Sequence, residues 1–395
     1  MLRRVATTFA CAAVVCGALA AAPYVLAQAP PGEGTAKAVS GAIDSLGAFE
    51  FAVRMAAART VRRASPSIAV PALTRAVSSH TDQYVRFRAL VVLSGFNDPR
   101  TRDVMVKALG DPNDRVRAVA YAWFGYHLEP TVLSRLLQAL DREESEFVRP
   151  ALTRALAAYG KDPKVRQALT DLVMKGHDLF RAAVIEAVGD YKADYALKPV
   201  LDVAKLDGPL QDDAVLAIGK IGDKRGLETL AALQRTSPRT LQPTIAASIC
   251  LLGSNCASHQ GYISKTLEFA LENPGFQDLL RAAAAGLAAL AVAGNAEAVG
   301  VLIDRGIPTR DPERAAIALA IGTVALRNTP FLLQELEKRT DTAGAIELLR
   351  EAFDMLEEDF EEERFFALVR RTYWKTPEGS AARHVAESLI RGLEF

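Results

Sequence analysis

Hydrophobic and polar positions along the chain recur in blocks of about 30 residues. In the block GDPNDRVRAVAYAWFG, Gly110 to Gly125, a polar turn precedes a Val-Arg pair and an apolar run that stops at a glycine. The pair recurs 31 residues upstream at Val85-Arg86, and then at 32-residue steps downstream at Val148-Arg149 and Phe180-Arg181. Weaker copies follow, the first with Gln211 in place of the arginine. Self-similarity at this period is typical of a solenoid, in which each block is one structural repeat.

Each block predicts two helices. In the second half of the quoted block, Val116, Val119, Ala120 and Trp123 are spaced so that they share one helix face, which we expect to be buried. No segment alternates between apolar and polar residues in the manner of a strand, so the sequence predicts an all-α fold of stacked helical hairpins. We expect helices to stop at the glycines that recur at the end of the blocks: Gly95, Gly125, Gly160, Gly189, Gly219 and Gly253.

The segment ALGDPNDRVRAVAYAWFG resembles HEAT repeats, in particular the short variety called PBS-lyase HEAT-like repeats. The resemblance covers about residues 66–330 and is strongest over 82–235. It implies a right-handed α-solenoid (superhelix) whose second helices line the concave side. It also implies that arginines at the recurring position pair with acidic or carbonyl groups of the inter-helix turn in the next repeat, a structural ladder of Arg86, Arg117, Arg149 and Arg181. A second interpretation is that these guanidiniums bind carboxylates of a partner.

Aromatic residues beside the ladder form a candidate binding surface. Tyr121 and Phe124 follow Arg117 by four and seven residues, which places all three on one helical stripe. With Tyr84 they predict a tyrosine- and arginine-rich patch on the concave side, a composition that is enriched at protein interfaces. Packing between neighbouring repeats is the alternative explanation of the same residues.

The N-terminal residues 1–29 have the pattern of a secretory signal peptide. Arg3 and Arg4 begin a stretch that carries no further charge until Glu33, and small residues precede two possible cleavage positions, after Ala27 or after Ala29. An uncleaved membrane anchor is the alternative, since the uncharged stretch is long enough to span a bilayer. We therefore expect an exported protein, periplasmic or extracellular, with no membrane insertion once the signal peptide is removed.

The remainder divides into three segments. Residues 30–65 are predicted as a short flexible lead and an N-terminal capping helix, and residues 66–340 as the repeat array, clearest over 82–235 and degenerate after it. Residues 341–395 are predicted as C-terminal capping helices. The acidic residues within 357–363 surround Phe360, and we expect them to form the solvated outer face that a terminal repeat needs for solubility.

Two cysteines remain after the signal segment, Cys250 and Cys256. In an oxidising compartment such a pair usually forms a disulfide, and the intervening Gly253 predicts a turn that brings the thiols together. Two free thiols are the alternative. The spacing fits neither a zinc site nor covalent haem attachment.

Charge and motifs indicate what kind of function to expect. The 47 Lys and Arg residues balance 47 Asp and Glu residues, which argues against nucleic acid as the main partner. The five histidines are scattered, and the sequence contains no G-x-S-x-G, P-loop or Rossmann glycine motif. We therefore predict no catalytic, cofactor-binding or metal-ligating residues.

These observations predict a non-enzymatic, exported scaffold or adaptor in the cell envelope that binds a protein or extended peptide on its concave face. One alternative, suggested by the name of the repeat family, is a chromophore- or small-molecule-handling factor related to bilin lyases. The other alternative is a purely structural envelope protein.

Overall fold

The structure is a computed structural model and describes residues 33–356 and 358–395. Within these residues the regular structure is helical and contains no strand, which confirms the all-α solenoid fold. The predicted signal peptide and the first residues of the predicted lead lie outside the described residues. Short 3-10 turns at Pro130–Val132 and Asp194–Ala196 precede two of the helices.

The helices follow one another as antiparallel pairs along the chain. The first eleven are α1 (Glu33–Ser45), α2 (Phe51–Arg63), α3 (Pro66–Ser79), α4 (Gln83–Ser94), α5 (Thr101–Ala108), α6 (Asp114–Tyr126), α7 (Leu133–Arg142), α8 (Arg149–Ala158), α9 (Pro163–Met174), α10 (Asp178–Asp190) and α11 (Leu197–Ala204). The others are α12 (Gln211–Ile221), α13 (Gly226–Thr236), α14 (Gln242–Leu251), α15 (Cys256–Glu272), α16 (Gln277–Val292), α17 (Ala296–Gly306), α18 (Glu313–Arg327), α19 (Thr329–Glu337), α20 (Thr342–Leu356), α21 (Asp359–Lys375) and α22 (Ala381–Gly392).

The core runs along the stack of second helices. Each of α6, α8, α10, α12, α14, α16 and α18 packs against the second helix of the next pair, so that neighbouring hairpins share apolar contacts. The buried residues form two large clusters, which divide within α14, and one small cluster of Ala318, Leu348 and Ala352. The predicted buried face of α6 is confirmed, because Val116, Val119, Ala120 and Trp123 are all buried. Helix α6 begins after Asn113, whose side-chain oxygen accepts hydrogen bonds from the backbone N–H groups of Arg115 and Val116.

We expected every recurring glycine to end a helix, but some of them lie inside helices. Gly189 lies inside α10 and Gly219 lies inside α12, each where the next second helix crosses. A Cβ at Gly189 would lie 3.0 Å from Cα of Ala217, and one at Gly219 would lie 2.5 Å from Cα of Ser248. These positions are glycine because two helix backbones approach too closely for a side chain, which explains the same period without a chain reversal.

The sulfurs of Cys250 and Cys256 lie at disulfide-bonding distance, as the predicted disulfide requires. It joins the C-terminal end of α14 to the first residue of α15 across a turn in which Gly253 has a φ of +75°. The bond therefore fixes the connection between two packed helices inside the later, degenerate part of the array.

We expect the Cys250→Ala/Cys256→Ala double variant to lower the free energy of unfolding by about 2 kcal/mol, because the closed loop is short. Urea unfolding of the double variant and of the wild type, each with and without reductant, measures the effect. Reductant should lower the stability of the wild type alone. Equal stability of the wild type and the double variant without reductant would contradict a stabilising role for the bond.

The C-terminal helices do not simply continue the stack. Helix α22 packs against α19 and α20, whereas α21 turns inward and contacts α4 and α6, more than 230 residues earlier in the chain. The expectation that the acidic residues of 357–363 form a solvated outer face is therefore wrong for the inner part of this run. Glu361 and Glu363 are buried, because α21 is inserted between the two ends of the solenoid and its carboxylates meet arginines there.

No single helix of the described residues is both long and apolar enough to cross a bilayer. Helices α18 and α19 reach the length and hydrophobicity of a membrane span only when taken together, and the pair is bent by 113°.

Candidate functional site

The concave side of the solenoid is a channel lined by second helices, and the start of α21 fills one part of it. We call residues 358–363, with the sequence EDFEEE, the inserted segment. Acidic side chains are favourable in the first turn of a helix, where the backbone N–H groups have no partner within the helix. The local sequence thus suits a helix start, and the surrounding arginines determine where that start docks.

The deepest ion pair of the channel joins α2 to α21. Glu363 is fully buried and accepts hydrogen bonds from Nε of Arg62 at 2.7 Å and from a guanidinium nitrogen of Arg370 at 3.1 Å. The Arg62 guanidinium also lies 5.0 Å from the centre of the Phe366 ring. The buried guanidinium of Arg62 and the partly buried guanidinium of Arg370 therefore share one carboxylate, and Glu363 compensates the charge of both.

Two further pairs hold the beginning of the inserted segment. Arg327 of α18 donates two hydrogen bonds to the carboxylate of Glu358, at 2.7 and 2.9 Å, in a bidentate arrangement. Arg88 of α4 pairs with Asp359. The segment is thus anchored to an early and a late repeat at once, which closes the solenoid.

An aromatic contact separates these ion pairs. The ring centre of Phe360 lies 6.0 Å from that of Tyr126, whose hydroxyl donates to the carboxylate of Glu361 at 3.1 Å. Arg364 covers the Tyr126 ring at 3.9 Å and donates to the same carboxylate. Burial raises the pKa of Tyr126, and the negative charge of Glu361 raises it further, so the phenol remains a hydrogen-bond donor.

A cavity of about 470 Å³ remains beside the inserted segment. It lies against α4, α6, α8 and α10 on one side and against the end of α20 and the start of α21 on the other. Its lining combines aromatic rings with arginines, among them Phe87, Arg115, Phe147, Arg154 and Tyr191. This volume falls within the range of ligand-binding pockets in proteins.

At one end of this cavity, Arg154 is held by two carboxylates of α10. It donates to Asp190 at 2.6 Å and to Glu186 at 3.2 Å, and Lys220 donates to the other oxygen of Asp190 at 2.7 Å. Burial opposes the charge of Arg154, but Asp190 and Glu186 outweigh it and the pKa of Arg154 is raised. Arg154 therefore stays charged while its donors are already engaged.

The cation at the other end of the cavity is differently placed. Arg115 lies over Phe87 at 5.7 Å and over Phe147 at 5.4 Å, so two aromatic rings hold its guanidinium. Arg115 is exposed, and Phe147 is 54% exposed. Among the residues that the structure describes, no carboxylate lies within ion-pair distance of Arg115.

The predicted aromatic patch is not available on the surface. Phe124 is fully buried and Tyr121 is 3% exposed, so the prediction that they form an exposed partner-binding stripe is wrong. Both rings pack between repeats, and the Tyr121 hydroxyl reaches the carboxylate of Glu143 at 3.5 Å. Tyr84 is half-buried and packs against Phe87 at 5.8 Å.

The arginine ladder has part of the contacts that the family resemblance implied: Arg86 and Arg117 reach an acidic group of the next repeat, whereas Arg149 and Arg181 hydrogen-bond within their own repeat. Arg117 donates two hydrogen bonds to the carboxylate of Glu143 in the next repeat, at 2.9 and 2.7 Å, and lowers the pKa of that carboxyl. The backbone carbonyl groups, by contrast, belong to the turn of the arginine's own repeat. Arg117 reaches the carbonyl of Asp111 at 2.9 Å, and Arg149 reaches that of Glu143 at 3.0 Å.

The first and last arginines of the ladder, Arg86 and Arg181, also donate to a backbone carbonyl of their own repeat. Arg86 donates to the carbonyl of His80 and lies 3.6 Å from Asp111 of the next repeat. Arg181 donates to the carbonyl of Val173 at 3.0 Å.

The ladder also continues beyond the residues that the sequence revealed. The Gln211 amide, which stands where the arginine is expected, donates to the carbonyl of Ala204 at 3.0 Å. In the degenerate part of the array Arg314 is buried and donates to the carbonyls of Gly306 and Ile307, and its Nε donates to the carboxylate of Glu351 at 2.8 Å. A donor that satisfies the inter-helix turn is the shared requirement, and glutamine or arginine can provide it.

Sequence reasoning missed the residues of the channel. Arg62, Arg88, Arg327 and the inserted segment are far apart in the chain, and none belongs to the recurring Val-Arg position. Within the described residues, no cluster of three or more His, Cys, Asp or Glu side chains is arranged to hold a metal ion.

Comparison with known proteins identifies the repeats. Residues 39–123 and 103–189 match the family of HEAT repeats. A comparison with curated proteins finds no match.

Similar solved structures include YibA of Escherichia coli, with 18% identity over 55% of this chain and 81% of that protein and a TM-score of 0.40. They also include human deoxyhypusine hydroxylase, with 16% identity over 65% of this chain and 95% of that protein and a TM-score of 0.28. Kap95p, studied with RanGDP, has 16% identity over 89% of this chain and 53% of that protein, with a TM-score of 0.36. Similarity at this level concerns helical architecture alone. Residues 39–189 therefore consist of HEAT repeats, and the chain is an all-α helical solenoid.

Proposed function

We propose that the protein is a non-enzymatic scaffold that binds a segment of another protein in the open part of its concave channel. The observation that carries this proposal is the cavity beside the inserted segment, where Arg115 and Phe147 remain exposed between stacked repeats. Aromatic residues and arginine are the side chains most enriched at the energetic centres of protein interfaces. A cavity of about 470 Å³ accommodates a few side chains of an extended segment rather than a folded domain.

The rigid stack around the cavity supports the same function. The lining residues Ala118, Ala122 and Ala151 lie on α6 and α8, whose buried residues belong to the larger N-terminal core cluster. Side chains on packed helices lose little conformational freedom when a ligand binds, because they are already ordered. The cavity therefore suits recognition of a defined segment.

Affinity capture with matched variants tests the proposal. The bait is the mature chain from Pro30, used against extracts of cells that express the protein, with the wild type, Phe147→Glu and Lys198→Glu compared. Lys198 is exposed on α11, away from the channel, and controls for a changed surface charge. We expect one protein at near-equal stoichiometry with the wild type and Lys198→Glu, and its loss with Phe147→Glu. Recovery that is the same with all three baits, or no partner with any, would contradict binding in the channel.

We further propose that the protein is exported to the periplasm or the extracellular space. Two features support this: the basic, then uncharged N-terminal pattern of residues 1–29, and the disulfide between Cys250 and Cys256, which persists in oxidising compartments. Mass spectrometry of the protein purified from its own cells tests the proposal. A mature chain beginning after Ala27 or Ala29 is expected, and an intact Met1 in a cytoplasmic fraction would contradict it.

A further inference from the structure

The wall of the channel and the inserted segment carry opposite charges. The wall contributes Arg62, Arg88 and Arg327 from α2, α4 and α18, which are far apart in the chain. The inserted segment contributes only acidic side chains and Phe360. Each of these arginines binds one carboxylate of the segment, so the wall recognises an acidic sequence that contains an aromatic residue.

The open cavity lies next to this wall and also combines arginine with aromatic side chains. Arg115 lies between the rings of Phe87 and Phe147, as Arg364 lies over Tyr126 beside Phe360. The carboxylates around the cavity already have partners: Glu186 binds Arg154, Glu358 binds Arg327, and Glu361 binds Tyr126 and Arg364. Of the cations that line the cavity, Arg115 is the one whose charge is uncompensated among the described residues.

We propose that the open part of the channel binds a peptide segment in which Asp or Glu residues flank a Phe or Tyr, with Arg115 receiving the carboxylate and the exposed Phe147 receiving the ring. This inference rests on the function proposed above and specifies the class of partner. The exposed guanidinium of Arg115 can donate a charge-assisted hydrogen bond to such a carboxylate. The inserted segment is then the intramolecular counterpart of the partner.

A peptide binding experiment on the full mature chain tests this inference. The probe is a fluorescent peptide with the sequence of residues 353–363, FDMLEEDFEEE, and the control probe has lysine at every acidic position. Fluorescence anisotropy should show saturable binding of the acidic probe that weakens as salt is added. The lysine probe should not bind.

Matched variants then locate the binding site. Arg115→Ala should weaken binding of the acidic probe by about tenfold, since one charge-assisted contact is lost. Phe147→Ala should weaken it similarly. Arg75→Ala removes an exposed arginine of α3 outside the cavity and should leave the affinity unchanged. Binding that is insensitive to Arg115→Ala but lost in Arg62→Ala would mean that the probe displaces the inserted segment, which overturns the assignment to the open cavity.

Equal or tighter binding of the lysine probe would overturn the proposed charge class. The two proposals fail separately. If Phe147→Glu abolishes capture of a partner but the acidic probe does not bind, the partner class is wrong and the scaffold function stands. If capture is independent of Phe147, the scaffold function in the channel is itself wrong.

Discussion

Glu363→Ala should be among the most destabilising single substitutions in the chain, lowering the free energy of unfolding by about 3 to 5 kcal/mol. The side chain is fully buried, and its removal leaves the guanidiniums of Arg62 and Arg370 close together without a counter-charge. Each already has one buried guanidinium nitrogen without a hydrogen-bond partner, so neither can recover the lost contact by a small rotation. Urea unfolding followed by circular dichroism measures the loss.

Controls separate the buried pair from a general effect of charge. Glu387→Ala removes a carboxylate that pairs with exposed Arg391 on the same helix, and it should cost less than about 1 kcal/mol. In the Arg62→Ala/Glu363→Ala double variant the loss should be smaller than the sum of the single variants, because the two residues share one interaction. Additive losses would contradict the coupling.

The same substitution should also release α21. Hydrogen exchange of residues 359–375 should become faster, while exchange in α8 and α10 should change little, because a solenoid is stabilised mainly between neighbouring repeats. Unchanged protection of α21 in Glu363→Ala would mean that closure does not depend on this ion pair.

The repeat period predicted the part of the fold that rests on local and neighbouring contacts. The face of Val116 and Trp123 was recognisable because a helix buried on one side repeats its apolar residues at helical spacing. Gly219 lies at the expected position of the repeat, but the prediction that it ends a helix is wrong. A helix end and a close helix crossing both favour glycine, so the sequence alone does not distinguish them.

Closure of the solenoid could not be predicted in this way. Arg62 and Glu363 are separated by 301 residues, and no periodic signal joins them. An acidic stretch that docks on arginines and one that faces water look the same in a single sequence. Gly95 illustrates the point: it caps the C-terminal end of α4 as predicted, but a Cβ there would also overlap the carboxylate of Glu363, which the sequence does not reveal. The candidate cavity was missed for the same reason, because its lining combines Arg115 and Phe147 with residues near the C-terminus.

Docking of the inserted segment should weaken as pH rises, because of Glu362. Burial raises the pKa of Glu362 to about 8, with further contributions from Asp359 and Glu358, while Arg88 acts in the opposite direction. A carboxyl whose pKa is higher in the folded than in the unfolded state contributes stability that is fully present below its unfolded value of 4.5. That contribution is lost as the pH approaches and passes 8.

The variant Glu362→Gln isolates this effect, because the amide has nearly the same shape and stays neutral throughout. The variant and the wild type should be nearly equally stable near pH 4.5, and the variant should become more stable as the pH rises, by about 5 kcal/mol near pH 9. Urea unfolding across this range measures the difference directly, so the titration of other groups cancels. Glu347→Gln, an exposed carboxylate of α20, should show no such divergence from the wild type. A constant difference between Glu362→Gln and the wild type at all pH values would show that Glu362 is ionised in the folded protein, and the inserted segment would then dock as a fully charged strip.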